Sequence, residues 1–506
     1  MNKRTIILLG IILLKFLLQF MLISPEFDLH RDEYLHLDQA NHLAWGFLSV
    51  PPLTSWISYI IQLLGNSVFW VKFFPALFGA LTILTVWETI RELKGNLFAC
   101  MLGATGLVFS SLLRLNTLYQ PNSLDVLCWT AFYLMLIKYI NSQHIKWLFA
   151  GALVFATGFL NKYNIAFLLI GLLPALLLSP HRKVLTQSSF YLALLAGSTL
   201  ILPNLVWQYQ NEFPVFKHLQ ELSATQLVNV NRMDFISSQF WFFFGSLPVI
   251  VAGLYALFFY KPFRPYRLFG WSLCFTLAVF IYLKAKDYYA IGLYPIYIAF
   301  GATYLSNVLA EGWKKFLMPV LYLLPVLFFI PAYQIGFPNK SPEFMYQNKE
   351  QYSEMGLLRW EDGKEHDLPQ DYADMLGWKE LAHKVDSLYA IMPHPDQTLI
   401  LCDNYGQAGA INFYSKRGIH AVSFNADYIN WFDLSKQYIN LIRVKENKEV
   451  EMELKETSPY FELSAISGTV TNPYAREYGT TIFSFVGAKV DVRQRISDEI
   501  VEVRGY

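Results

Sequence analysis

Apolar residues along this chain gather into long runs instead of alternating or recurring on one helical face. The first extends from Ile6 to Ile23 and is interrupted only by Lys15 and Gln19. Further runs fall near residues 68–90, 97–113, 124–141, 147–161, 164–179, 188–206, 236–260, 267–283, 288–308 and 315–332. A bilayer core takes about 20 apolar residues of helix, so these predict about eleven transmembrane helices. After Pro331 the pattern changes to frequent charges and short apolar stretches. Trp378, Leu381, Val385 and Leu388 recur at helical spacing, which predicts an amphipathic helix over 374–390. Thr398–Leu401 and His420–Phe424 read as short buried strands on either side of a helix over Gly406–Tyr414. Strands are also expected at Tyr438–Val444, Thr481–Val486 and Ile500–Val503. The predicted fold class is a polytopic α-helical membrane protein with a C-terminal soluble α/β domain. Residues 1–332 form the membrane part, with outer-face loops 24–67 and 207–235, and residues 333–506 form the soluble domain.

Composition agrees with that pattern. Of 506 residues 54% are hydrophobic and only 16% charged, against about a quarter charged in water-soluble domains. A net charge of +1 and the lack of a Lys/Arg-rich tract give no footprint for nucleic acid. The four cysteines are scattered, with no disulfide or zinc spacing. Lys3 and Arg4 before an apolar run resemble a signal peptide, but no small-residue cleavage site follows, so an uncleaved first helix is expected. With the N-terminus inside, Arg91 and Lys94, Lys146, Arg182 and Lys183, Lys261, Arg264 and Arg267, and Lys314 and Lys315 all fall on the inner side. The loop containing Asp32, the Arg114–Ser123 loop, Lys162, loop 207–235, Lys284–Tyr289 and everything after about Ala332 then face outward.

Candidate chemistry collects on that outer side. Residues 33–47 carry Tyr34, Leu37, Ala40, Ala44 and Phe47 on one side, which predicts a helix lying along the membrane surface. Asp32 and Glu33 open it. As first-turn carboxylates they complement the helix dipole, worth about 0.3–1 kcal/mol; at the mouth of an apolar bundle they are also placed to take a proton from a hydroxyl. Asp32, Glu33 and His36 share a helix face and are weak candidates for a divalent metal, although the segment is not a zinc-protease motif. Lys162, Lys284 and Lys286 lie at the ends of spans. Lysines there commonly snorkel to headgroups, but a bundle handling a phosphorylated lipid needs such cations, and tyrosine hydroxyls add hydrogen bonds. Lys286 with Tyr288 and Tyr289 is the preferred phosphate site, followed by Lys162. Asp125 opens its span either as a cap or as a third catalytic carboxylate.

The ordered set Asp32-Glu33-Tyr34, His42–Gly46, Pro51-Pro52-Leu53, Asn122–Asp125, Gly158–Tyr163, Lys286–Tyr289 and Asn404–Ala410 resembles bacterial glycosyltransferase family 39-like proteins. These are relatives of the protein O-mannosyltransferases and the lipid A aminoarabinose transferase, with the GT-C fold. The resemblance implies transfer of a sugar, with inversion, from a polyprenyl-phosphate donor to a lipid, glycan or protein acceptor. It implies Asp32 as general base, Glu33 positioning the acceptor, and Lys286 and the tyrosines stabilising the leaving phosphate. No cofactor is required on this basis; a divalent metal is the alternative. It also implies a multi-pass protein of a bacterial inner membrane with a periplasmic C-terminal domain. Val50 stands where several relatives carry a lysine before the Pro-Pro pair, removing one candidate phosphate ligand. The Asn404–Ala410 segment is expected to be a tight structural turn from strand to helix. A transporter or flippase of a lipid-linked glycan is the alternative function. Such carriers show repeated halves and midplane polar groups, whereas here the polar residues cluster at one surface. A non-catalytic scaffold would leave that arrangement without a purpose.

Overall fold

The computed structural model describes residues 3–447 and 450–505. The chain forms two compact units. One comprises Met1–Ile23, Val50–Thr54 and Ser67–Asn339; the other comprises Ser24–Ser49, Ser55–Asn66 and Lys340–Tyr506.

The first unit is helical. Each expected apolar segment is occupied by helix, and five helices are long and apolar enough to cross a membrane: Lys3–Met21, Val68–Glu92, Asn122–Ser142, Ser188–Gln210 and Gly312–Gly336. Two bent pairs would raise the number to seven, Ile165–Leu177 with Pro180–Thr186 and Arg232–Trp241 with Phe244–Phe259. The segment expected as loop 207–235 is itself largely helical, through Pro214–Thr225 and the start of Arg232–Trp241.

The first helix is inside-out by the standard of a water-soluble protein. Leu13 and Leu17 are 60% and 52% exposed, while Lys15 and Gln19 are each 1% exposed. In water that arrangement would be strongly unfavourable; facing lipid it leaves apolar atoms outside and draws the polar groups within. Lys15 Nζ donates to the Ala76 carbonyl at 2.5 Å, and Gln19 Nε2 to the Leu113 carbonyl at 3.3 Å. Elsewhere the helices approach backbone to backbone. A Cβ built on Gly301 would lie 1.8 Å from the Val249 carbonyl oxygen, so the helices Leu247–Phe259 and Tyr294–Val308 meet only because that position is bare.

The second unit is built on a mixed sheet in the order β2-β1-β3-β5-β4, with β1 Thr398–Cys402, β2 Ala421–Ser423, β3 Asn440–Lys445, β4 Phe461–Thr469 and β5 Thr481–Ala488. β1 runs parallel to β2 and β3, whereas β5 is antiparallel to β3 and β4. The helix Tyr405–Tyr414 makes the crossover from β1 to β2. The helix Trp378–Tyr389 buries Trp378, Leu381, Val385 and Leu388, the face read from their spacing.

Three expectations need correction. Ile500–Val503 is helical, within Val492–Gly505, because Val492, Ile496 and Ile500 recur every four residues and pack into the sheet core. The helix expected over 33–47 spans only Arg31–Asp38, followed by a 3₁₀ turn at Gln39–His42. It does not lie as an amphipathic surface helix, since Glu33 through Asp38 are all buried within the second unit. Accordingly the boundary after residue 332 moves. The last long helix continues to Gly336, and Ser24–Ser49 with Ser55–Asn66 join the C-terminal part.

Replacing Gly301 with alanine should lower the stability of the detergent-purified protein by about 1–3 kcal/mol, since the obstructing atoms are backbone and cannot rotate away. A melting temperature equal to that of the unsubstituted protein would show that the two helices do not depend on this contact.

Candidate functional site

In the second unit the acidic pair divides its roles. His30 caps the helix Arg31–Asp38: its Nδ1 accepts the Asp32 amide at 3.2 Å, while Glu33 Oε2 accepts the His30 amide at 2.6 Å. This reciprocal capping box satisfies two donors that a helix start leaves open. It uses Glu33, which is 0% exposed. The Asp32 side chain, by contrast, is 41% exposed. Its Oδ1 accepts the Tyr405 hydroxyl at 2.7 Å, and the Arg31 guanidinium lies over the Tyr405 ring at 4.4 Å. Burial opposes charge on Asp32, but His30, the Tyr405 hydroxyl, Arg31 and His36 outweigh it and hold its carboxyl below the usual range. Asp32 is therefore an ionised, partly open carboxylate, the state a general base requires.

The weak metal candidates diverge. Glu33 accepts a backbone amide, Asp32 takes Tyr405, and His36 Nδ1 lies 3.3 Å from Gln39 Oε1. No group of three or more His, Cys, Asp or Glu side chains that could hold a metal ion occurs among the described residues.

In the first unit the turn between Lys146–Asn161 and Ile165–Leu177 presents Lys162. Its Nζ donates to Asn122 Oδ1 at 2.6 Å and lies 5.1 and 4.5 Å from the ring centres of Tyr288 and Tyr289. Burial pulls the Lys162 ammonium down to about 8; Asp125 opposes this and Lys286 adds to it. Lys162, Lys286, Tyr288 and Tyr289 thus share one neighbourhood, which Lys286 also links to His218. Lys284 is different. It occupies the preceding turn at φ +53°, and its side chain has no ion pair among the described residues. Asp125 is buried, and both carboxylate oxygens are engaged: Oδ1 by Trp129 Nε1 and Oδ2 by Asn164 Nδ2, each at 2.9 Å. Asn164 also donates to the Tyr289 carbonyl at 3.0 Å, so Asp125 ties the Lys162 turn to the Tyr288-Tyr289 segment.

Sequence reasoning passed over several of these contacts. Asn122 and Asn164 were visible only as polar residues flanking named ones. Lys72 lies in an apolar helix yet is 6% exposed, and a lysine inside residues 68–90 was the available signal. Tyr405 lay in a segment assigned to a turn; nothing in its immediate sequence connects it with a residue 373 positions earlier.

Residues 49–207 match the family model described as dolichyl-phosphate-mannose-protein mannosyltransferase. Lipid A galacturonosyltransferase RgtD of Rhizobium johnstonii is 25% identical over 222 residues, 42% of this chain and 46% of that protein. The alignment thus spans less than half the length of that curated relative. Two crystal structures of ArnT from Cupriavidus metallidurans, one bound to undecaprenyl phosphate and one apo, each superpose with a TM-score of 0.62. Their identities are 13% and 11%; the first match covers 94% of this chain and 97% of that one, the second 96% and 98%. The helical bundle and mixed-sheet unit therefore carry an ArnT-like fold, and residues 49–207 are similar to the mannosyltransferase family model.

Proposed function

We propose that this protein transfers a sugar from a polyprenyl-phosphate carrier to an acceptor hydroxyl at the outer face of a bacterial inner membrane. The observation that carries the reading is Asp32, a partly exposed carboxylate held ionised by its neighbours. Asp32 takes the acceptor's proton as its oxygen attacks the anomeric carbon. The bond from that carbon to the phosphate oxygen breaks, the electron pair leaves with the polyprenyl phosphate, and the configuration inverts. Lys162 and Lys286, with the Tyr288 and Tyr289 hydroxyls, neutralise the charge gathering on the phosphate. Glu33 serves by fixing the turn that aims Asp32 and makes no contact with the acceptor. Asp125 and Asn164 hold the phosphate-binding turn in place. RgtD by its name acts on lipid A, and ArnT was solved with undecaprenyl phosphate. A glycolipid acceptor and an undecaprenyl carrier are accordingly the first to test, ahead of glycan or protein acceptors. The positive-inside pattern supports a cytoplasmic N-terminus and a periplasmic C-terminal unit.

Asp32, Glu33 and His36 do not form a ligand set, so no step here passes through a metal. Transfer should survive EDTA; loss that added magnesium restores would reverse that assignment. Mass-spectrometric profiling of envelope glycans should find one sugar missing in both a deletion strain and Asp32→Asn, with the lipid-linked donor accumulating. Removing a general base costs about 10²–10⁴-fold in rate, so the substituted strain should match the deletion. Full glycosylation in a well-folded Asp32→Asn protein would remove Asp32 from this role. Donor trapped on the inner leaflet of the deletion strain would point instead to a flippase.

Lys162 gives a pH test. Its ammonium is intact below about 8 and is lost as pH rises through that value. kcat/KM for the lipid donor should therefore fall by roughly several-fold per pH unit on the alkaline side, because this ratio reports ionisations of the free enzyme. Lys162→Arg, with a charge that persists at high pH, should flatten that limb. An alkaline limb identical in the two proteins would dissociate Lys162 from phosphate binding.

A further inference from the structure

The connection between β4 and β5, residues 470–480, is longer than a hairpin turn of about 2–5 residues requires, and no step proposed above uses it. It is held in three ways. Backbone bonds close its neck, from Val470 N to Thr480 O at 2.8 Å and from Gly479 N to Val470 O at 3.0 Å. Glu380 accepts the Thr471 amide at 2.9 Å, the Thr471 hydroxyl at 2.7 Å and the Asn472 amide at 3.3 Å. The buried Glu477 accepts Gln407 Nε2 at 2.6 Å, Thr480 Oγ1 at 3.0 Å and Asn404 Nδ2 at 3.2 Å. A loop tied at so many points is a fixed wall on which binding groups keep their positions.

That wall borders a cleft of about 1040 Å³ in the second unit, whose lining includes Asn447, Glu451, Lys455, Ile466, Thr471 and Tyr478. The cleft lies where β3 and β4 end and β5 begins, since Thr481 pairs with both Lys445 and Thr469. The sheet order reverses at β1, with β2 on one side and β3 on the other; open α/β sheets bind ligands beyond the carboxyl ends of the strands there. The lining selects a class of ligand. Glu451 and Lys455 carry opposite charges four residues apart on the helix Val450–Thr457, which favours neither an anion nor a cation. Tyr478 and Ile466 are 53% and 54% exposed and offer apolar faces. Beside them stand the Asn447 amide and the Thr471 hydroxyl, whose proton is committed to Glu380, so that it is left to accept. Packing places Asn447: a Cβ added at Gly479, at φ +82°, would lie 2.5 Å from Asn447 Nδ2. A neutral ligand with apolar C–H faces, ringed by hydroxyls that donate and accept, matches this surface, and that describes a saccharide.

We infer that the cleft binds a saccharide of the acceptor, with Tyr478 stacking on a sugar ring and Asn447 and Thr471 bonding its hydroxyls. The assignment to the acceptor rests on the transferase reading with Asp32 as base. Asn404 makes the connection within the second unit. Its Nδ2 is shared between Glu446 Oε1 at 3.0 Å and Glu477 Oε1 at 3.2 Å. The residues that follow those two glutamates, Asn447 and Tyr478, line the cleft. Asn404 Oδ1 caps the helix Tyr405–Tyr414 by accepting the Gln407 amide at 3.0 Å. That helix is pressed on the helix of the acidic pair, for a Cβ added at Gly406 would come within 2.7 Å of Arg31 Cγ. One chain of side-chain contacts thus joins the cleft to the segment carrying Asp32, whereas Lys162 and Lys286, given to the carrier phosphate, belong to the other unit. A saccharide held by the unit that carries the base is the acceptor's.

Saturation-transfer NMR on the detergent-purified full chain tests binding, with the neutral oligosaccharide series of glucose, galactose, mannose and N-acetylglucosamine as probes. At least one series should receive saturation. Tyr478→Ala should weaken its binding by about three- to tenfold, and Asn447→Ala by a similar factor. Both side chains are exposed, so each variant should keep the melting temperature of the unsubstituted protein, and either one reports alone should the other fold poorly. Glycolipids extracted from the deletion strain and separated into donor and acceptor fractions identify the source. Tyr478→Ala should raise KM for the acceptor fraction by the same factor and leave that for the donor fraction unchanged. A rise confined to the donor fraction would overturn the assignment to the acceptor. If no oligosaccharide receives saturation, or if both variants bind as the unsubstituted protein does, the cleft is no saccharide site, while the transferase reading still stands on Asp32. If a well-folded Asp32→Asn protein transfers sugar normally, the base falls, and with it the reason for giving the saccharide to the acceptor.

Discussion

A carboxylate can accept a proton from a hydroxyl only while it is ionised, and Asp32 stands in a helix whose residues Glu33–Asp38 are all buried. Removing a carboxylate from water costs several kcal/mol unless donors and cations replace the lost solvation. Much of the second unit's arrangement around residues 30–38 meets that requirement. His30 caps the helix, Glu33 closes the cap and leaves Asp32 outside it, and Arg31 and Tyr405 supply a charge and a donor. The Asp32-Glu33 pair is thereby one partly exposed carboxylate and one strut.

The helical unit faces the same constraint with the opposite sign. Lys162 is a cation kept among aromatic rings, and its neighbours do not fully compensate its burial. A resident carboxylate in direct contact would restore the charge but would also occupy the position that the proposed phosphate contact needs. Asp125 is held back instead, both oxygens engaged by Trp129 and Asn164, close enough to support the ammonium without closing on it. Cation–π contact with Tyr288 and Tyr289 supplies partial stabilisation that an incoming anion can supplement. The polar groups in the first helix follow the simpler rule. Lys15 and Gln19 each find a backbone carbonyl, as side chains inside an apolar bundle do when nothing further is asked of them.

How much of this was legible in the sequence depended on the range of the interaction. Runs such as 68–90 and 188–206 were plain because the apolar signal is local and long. Trp378, Leu381, Val385 and Leu388 betrayed their helix by spacing alone. The error at 33–47 came from reading Tyr34, Leu37 and Ala40 as a membrane-facing stripe when the polar residues beside them were also buried: His36, Asp38 and Gln39 find protein partners there. Ile500–Val503 misled because three β-favouring residues in four outweighed the wider four-residue repeat from Val492. β4 escaped notice since it is an edge strand, its central residues exposed and its pattern weak. Asp32, Lys162, Tyr288 and Tyr289 could be named as chemistry, but their partners could not. Hydrogen bonds between residues hundreds of positions apart leave no trace in one sequence.

Glycine was the one clue to such distant pairing, because a bare position records what presses against it. Gly406 and Gly409 stand three residues apart on a helix, where alanine would be the better helix former by about 1 kcal/mol each. That concession makes sense only if another chain segment needs the space, and the atoms that fill it belong to Arg31 and Tyr34, on either side of the acidic pair. Intrinsic helix stability has been given up for proximity at the one helix start that delivers a hydroxyl to Asp32. The same exchange at Gly301 brings two apolar helices together and delivers nothing. The difference between the two lies in what the closeness carries: packing alone in the bundle, and in the mixed unit a phenol fixed against the carboxylate on which the proposed chemistry turns.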